Sequence, residues 1–198
     1  MKNFILAVFI LLQPWPSFAN KGDCSTTIDG YKVVKNSVYP FLIDKDKACF
    51  FAFYVDKAQL NYAEENHDDN FEDEAMWYGY YKLSSPHHII EFPKPSDLLW
   101  LGICRINAIS FYDMNGDGVR DVSVIGSCNH LSSLKYTYPL VFIRYKDKYI
   151  FNEDVYSRLY GFIDLTIADI HAYIKDPKNN YQLLRNRYNK LEIKSQKI

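Results

Sequence analysis

The 198-residue chain has almost no net charge, −1 at neutral pH, with 23 Lys or Arg set against 24 Asp or Glu. A domain that binds nucleic acid over a broad surface is usually basic throughout, so that class drops out. The four cysteines include no C-x-x-C spacing, which removes thioredoxin-like and zinc-finger chemistry. The chain holds no H-E-x-x-H, no phosphate-cradling glycine loop and no nucleophile elbow. Beyond the first twelve residues, no apolar run approaches the roughly 20 residues of a membrane-spanning helix. Internal repeats and low-complexity tracts are also missing.

Aromatic side chains are abundant, at 17% of residues, and 17 of them are tyrosines. Aromatics favour pleated, half-buried surfaces and can build a large core. With eight prolines, this composition points to β-structure rather than a helical bundle.

Residues 1–19 read as a secretory signal peptide. Lys2 is the positive end, Phe4–Leu12 the apolar run, and Ser17 and Ala19 are the small residues before a cut after Ala19. The nine apolar residues are too few to span about 30 Å of hydrocarbon. The mature chain from Asn20 is expected to be exported, to a periplasm or beyond. Export changes how Cys24, Cys49, Cys104 and Cys128 are read: an even number in an oxidising compartment suggests two disulfides, for which three connectivities are possible.

Strands are expected at YKVVK (31–35), CFFAFYV (49–55), MWYGYYKL (76–83), HHIIEF (87–92), within 98–112 and at 122–126. TYPLVFIRY and KYIFN bracket Lys146-Asp147-Lys148 as a hairpin. Thr166 and Asp169 form a capping-box pattern, with Ile167, Ile170 and Ile174 on one face and Pro177 after the end. A second helix fits Tyr181 to Ile193. The expected architecture is one domain over 20–198, mostly β in a sandwich-like antiparallel arrangement, with helical elements over about 164–194. An α+β fold is the alternative. Charge is uneven. Glu64, Glu65, Asp68, Asp69, Glu72, Asp73 and Glu74 fall within eleven residues, whereas 175–198 holds seven Lys or Arg against Asp176 and Glu192.

The most specific motif is Asp113-Met114-Asn115-Gly116-Asp117-Gly118-Val119-Arg120-Asp121. Oxygen-bearing side chains stand at loop positions 1, 3, 5 and 9, and a glycine at position 6, where a calcium loop turns sharply. Position 12, a bidentate Glu in an EF-hand, is Val124, and the flanks ISFY and VSVIG are strand-like. The reading is a strand–loop–strand site for a structural Ca²⁺, held by Asp113, Asn115, Asp117, Asp121 and the Val119 carbonyl. A hairpin centred on Asp117 also brings Cys104 and Cys128 to neighbouring strands within a residue or two of register, so that a small bulge would pair them. Cys24 would then pair with Cys49.

The stretch Phe111–Tyr160 resembles small secreted bacterial proteins marked by one D-x-N-x-D-G-x-x-D loop. In those proteins an aromatic strand pair with a charged turn follows, and then an N-E-x-[LV]-S-x-L segment, here NEDVYSRL (152–159). The loop also resembles one unit of an integrin-type β-propeller repeat. The secreted family is related to periplasmic lysozyme inhibitors, and the resemblance implies non-catalytic inhibition of an envelope-attacking enzyme, either a lysozyme or a toxin met by an immunity protein. Such enzymes are commonly basic, and the acidic segment, with Trp77 as an anchor beside it, is the expected contact. An envelope hydrolase with a hidden carboxylate pair is the alternative from another class, and a purely structural secreted protein is a third reading. His87 and His88, adjacent and expected in an exposed turn, are poor candidates for one shared site.

Overall fold

The computed structural model describes residues 23–56, 74–94, 100–101, 104–128 and 136–195. The signal peptide reading at 1–19 lies outside them. Among the described residues, two antiparallel sheets and three C-terminal helices make up the fold, with strand predominating as the composition implied.

In the first sheet β3 (Asp46–Asp56) and β4 (Glu74–Lys82) form the central ladder. Two strands share the outer edge of β3, β1 (Lys32–Val33) and β2 (Tyr39–Ile43), while β5 (Ser85–Glu91) and β6 (Trp100–Leu101) share that of β4. The second sheet is a meander of β7 (Cys104–Tyr112), β8 (Asp121–Cys128), β9 (Thr137–Tyr145) and β10 (Lys148–Phe151). Between β9 and β10 lies the expected hairpin turn, in which Lys146 takes a positive φ of 58°.

The sheets meet through aromatic rings. Phe41 stacks on Phe111 with centroids 4.4 Å apart, Phe92 lies 4.6 Å from Phe142, and Tyr80 meets Tyr149 edge-on at 5.7 Å. Burying rings of this size is the main gain in a sandwich core, and offset or edge-on geometry adds about 0.5–1.5 kcal/mol per pair. On β8 and β9, Val122, Val124, Leu140 and Phe142 face this core, while Ile125 and Val141 face a second one beneath the helices. Covered on both faces, β8 carries a continuous rather than alternating apolar run.

The helices are α1 (Glu153–Leu159), α2 (Ile167–Lys175) and α3 (Pro177–Ser195). They bury Val155, Leu159, Ile170, Tyr173 and Leu184 against the second sheet. The reciprocal cap of α2 forms: Asp169 N donates to Thr166 Oγ1 at 3.2 Å and Thr166 N to Asp169 Oδ2 at 2.9 Å. Pro177 follows the end of α2, as expected, and also opens α3, which begins there rather than at Tyr181; its missing N–H costs nothing in that position, and Asp176 accepts from Asn179 N at 3.3 Å. The NEDVYSRL segment, to which the sequence reading assigned no element, holds α1, capped by Asn152 accepting from Val155 N at 3.1 Å.

The outer face of the first sheet is covered as well. Residues before β2 lie across it, fixed by the Cys24–Cys49 disulfide. Tyr31 meets Phe51 and Phe53 edge-on, and Ser25 N donates to Tyr81 Oη at 2.8 Å. Gly79 lies in this crowded ladder, where a Cβ would come within 3.3 Å of both Phe51 Cζ and Ile90 O.

Candidate functional site

The Asp113–Asp121 loop joins β7 to β8 at the end of the second sheet. Its coil depends on two left-handed glycines, Gly116 at φ 80° and Gly118 at φ 86°. Its side-chain oxygens turn inward onto backbone amides. Asp113 accepts from Gly116 N and Gly118 N, each at 2.8 Å, and from Asp117 N at 3.1 Å. Asn115 Oδ1 accepts from Asp117 N at 3.1 Å, and Asp117 Oδ1 from Val119 N at 2.8 Å. Asn115 Nδ2 donates to Asp117 Oδ2 at 2.9 Å.

Asp121 differs from the other loop acids. It is fully buried, and each of its oxygens accepts one backbone N–H at 2.8 Å: Met114 N at the loop entrance and Arg144 N on β9. Burial pushes its pKa up, the two backbone bonds pull it down, and the nearby charges of Asp117 and Asp113 push it up again, for a net rise. The all-oxygen donor set suits calcium by chemistry. Among the described residues, however, no three His, Cys, Asp or Glu side chains are grouped to hold a metal ion. The loop therefore brings the expected ligands onto one coil without gathering their carboxylates at one point.

Arg144 extends this network across the sandwich. Its guanidinium makes a bidentate pair with Asp44, both bonds 2.9 Å, joining β9 of one sheet to the β2–β3 turn of the other. Asp44 sits in the left-handed region at φ 57°. The hydrogen bonds from Arg144 hold its carboxyl below the usual range, against a small opposing effect of burial. From the sequence, Asp44 stands out only as part of the turn signal Asp44-Lys45-Asp46, and Arg144 not at all. The available signal was a lone arginine in the otherwise apolar TYPLVFIRY.

The hairpin register predicted from the loop holds. Cys104 stands opposite Cys128 because a bulge between Ile106 and Ala108 shifts the ladder by one residue, and both disulfides, Cys104–Cys128 and Cys24–Cys49, are formed. Cys128, being in a disulfide, carries no free thiol. His87 and His88 lie exposed on β5 rather than in a turn.

Of the expected partner surface, Glu64, Glu65, Asp68, Asp69, Glu72 and Asp73 lie outside the described residues, and Glu74 is placed as the first residue of β4. Trp77 is not available as a surface anchor. It is 2% exposed, and its indole Nε1 donates to Phe92 O at 2.8 Å. Tyr78, Tyr80 and Tyr81 are buried too. Trp77 packs instead edge-on against Phe142 of β9 in the other sheet, with ring centroids 6.3 Å apart.

No family model, curated protein or solved structure matches the chain.

Proposed function

We propose that the chain is an exported, non-catalytic binding protein of the bacterial envelope that engages and inhibits a basic, envelope-attacking enzyme through its acidic segment. The observation that carries this reading is the end of the β3–β4 ladder. Asp56 and Glu74 are its last paired residues, so the chain leaves and rejoins the sheet at adjacent positions. The intervening residues, 57–73, hold six of the seven clustered carboxylates. An insertion of this length between paired strands is unusual in a compact domain and is commonly functional. Like charges gathered there repel one another and are relieved by a cationic partner, whose encounter they also accelerate.

The two disulfides fit an oxidising compartment, and no described helix is long and apolar enough to cross a membrane. The resemblance of residues 111–160 to secreted proteins related to lysozyme inhibitors supports the same reading. In this proposal a calcium ion draws Asp113, Asn115, Asp117, Asp121 and the Val119 carbonyl together and stabilises the second sheet without taking part in any reaction.

The test is association with a purified basic lysozyme at low and high salt. Replacing Glu72→Gln, Asp73→Asn and Glu74→Gln together should slow association by about tenfold at low salt and flatten its salt dependence, leaving the melting temperature unchanged. Wild-type association rates in the triple variant at every salt concentration would remove the acidic segment from the interface.

A further inference from the structure

Asn115 is the one asparagine in the chain that a glycine follows. Both Asn115 and Gly116 lie exposed in the loop between β7 and β8. The chemistry open to such a pair is intramolecular. The side-chain carbon Cγ of an asparagine stands one ring closure away from the nitrogen of the next residue, and a bond between them makes a five-membered imide. Closure is usually slow because the next residue's side chain crowds the nitrogen and the carboxamide spends little time facing it.

Both obstacles are reduced here. Gly116 has no β-carbon, and beyond its chain neighbours no atom lies within 4 Å of where one would stand, so the approach is open. The Asn115 side chain is turned forward along its own backbone: Oδ1 accepts from Asp117 N at 3.1 Å, and Nδ2 donates to Asp117 Oδ2 at 2.9 Å. This side-chain turn spans Gly116 and holds Cγ against the stretch of backbone that carries Gly116 N. The bond from Asp117 N also polarises the carboxamide carbonyl, at the oxygen where negative charge collects as the ring closes. Gly116 N itself is held in the loop by donating to Asp113 Oδ1 at 2.8 Å.

We propose that Asn115–Gly116 is a self-modifying site, at which the loop converts its own asparagine to aspartate and isoaspartate with water as the only co-reactant. Gly116 N bonds to Asn115 Cγ, and the Cγ–Nδ2 bond breaks. Nδ2 leaves as ammonia, carrying the proton that Gly116 N gives up, relayed by water. A water molecule then opens the cyclic imide. Opening at Cγ restores the main chain with an aspartate side chain, whereas opening at the backbone carbonyl leaves isoaspartate, whose main chain is longer by a methylene. No electrons are transferred. Each conversion adds a negative charge to a loop that already holds Asp113, Asp117 and Asp121. Asp117–Gly118 repeats the turn, with Asp117 Oδ1 accepting from Val119 N at 2.8 Å, but an ionised carboxylate has no leaving group to match the amide. Because the fold holds the reacting groups in place, the folded loop converts faster than the same residues in an unfolded chain.

The test is peptide mapping by mass spectrometry on the full mature protein, aged in mildly alkaline buffer with excess chelator. The peptide carrying Asn115 should gain about one dalton and split into aspartate and isoaspartate forms. Peptides carrying Asn107 and Asn152, which Ala108 and Glu153 follow, should stay unchanged over the same period. The folded protein should convert about threefold or more faster than the same chain unfolded in guanidinium at matched pH. Asn115→Gln, which keeps a carboxamide but needs a six-membered ring, should gain no mass in that peptide, with circular dichroism verifying its fold. If that variant does not fold, the wild-type comparison decides alone. A smaller ratio of folded to unfolded rates, aspartate without isoaspartate, equal conversion at Asn107 or Asn152, or a mass gain that persists in folded Asn115→Gln would each overturn the proposal. With neither calcium nor a partner in the assay, the result stands apart from the calcium and inhibition proposals.

Discussion

Replacing Asp121 with alanine should destabilise the protein whether or not calcium is present. The carboxylate is fully buried and receives Met114 N and Arg144 N at 2.8 Å each. Removing it strands two amides in the interior, at about 1–3 kcal/mol apiece. Part of that cost is offset, because burial and the charges of Asp117 and Asp113 already disfavour the ionised carboxyl, as its raised pKa shows. A net loss of about 2–4 kcal/mol follows, equivalent to a fall in melting temperature of roughly 5–15 °C for a chain of this size. Asp121→Asn keeps the shape and one acceptor but turns a donor toward an amide, so it should cost less, about 1–3 kcal/mol. The assay is denaturant unfolding in excess chelator, which removes any contribution from a bound ion. If Asp121→Ala unfolds within about 1 kcal/mol of wild type under those conditions, the two hydrogen bonds are not structural supports and the reasoning fails.

Asp117, exposed and bonded only within the loop, should behave in the opposite way: Asp117→Ala should lower the melting temperature in calcium and leave it unchanged in chelator, and equal losses in both conditions would end the calcium proposal. The Asp44–Arg144 clamp gives a pH signature. Because the folded Asp44 pKa lies below its ordinary 3.8, its contribution is complete above that value and is lost as pH falls through the lower, folded one. Asp44→Asn should therefore show a shallower loss of stability on acidification below about pH 4 than wild type in paired thermal melts, with Asp169, also lowered, accounting for the loss that remains.

Much of the fold was readable because local signals agreed with the final packing. The aromatic runs of β3 and β4, the turn at Lys146 and the Thr166–Asp169 box are each short-range patterns with one structural solution. The disulfides were readable at longer range only because the glycine-centred loop fixed the register of β7 against β8. Other features depended on contacts distant in sequence. Trp77 stands beside the acidic segment in the sequence, but it is buried by Phe92 and, across the sandwich, by Phe142 of β9, neither of which a local pattern links to it. The Asp44–Arg144 pair is separated by 100 residues, and no local pattern links them. Helix α1 is seven residues long, too short for apolar periodicity to show, although Asn152 followed by Glu153 and Asp154 was a legible start. The motif at Asp113–Asp121 fixed the loop's coil, while the orientation of Asp121 came from β9, which the motif does not contain.

The central claim, inhibition of a basic envelope-attacking enzyme without catalysis, is tested most directly by the rate at which a bacterial envelope extract, supplemented with a basic lysozyme, degrades purified cell wall with and without the mature protein. The account predicts that added protein slows degradation stoichiometrically, that the Glu72, Asp73 and Glu74 triple variant slows it less, and that the protein alone degrades nothing. Degradation that is unchanged, or accelerated by the protein itself, would contradict it.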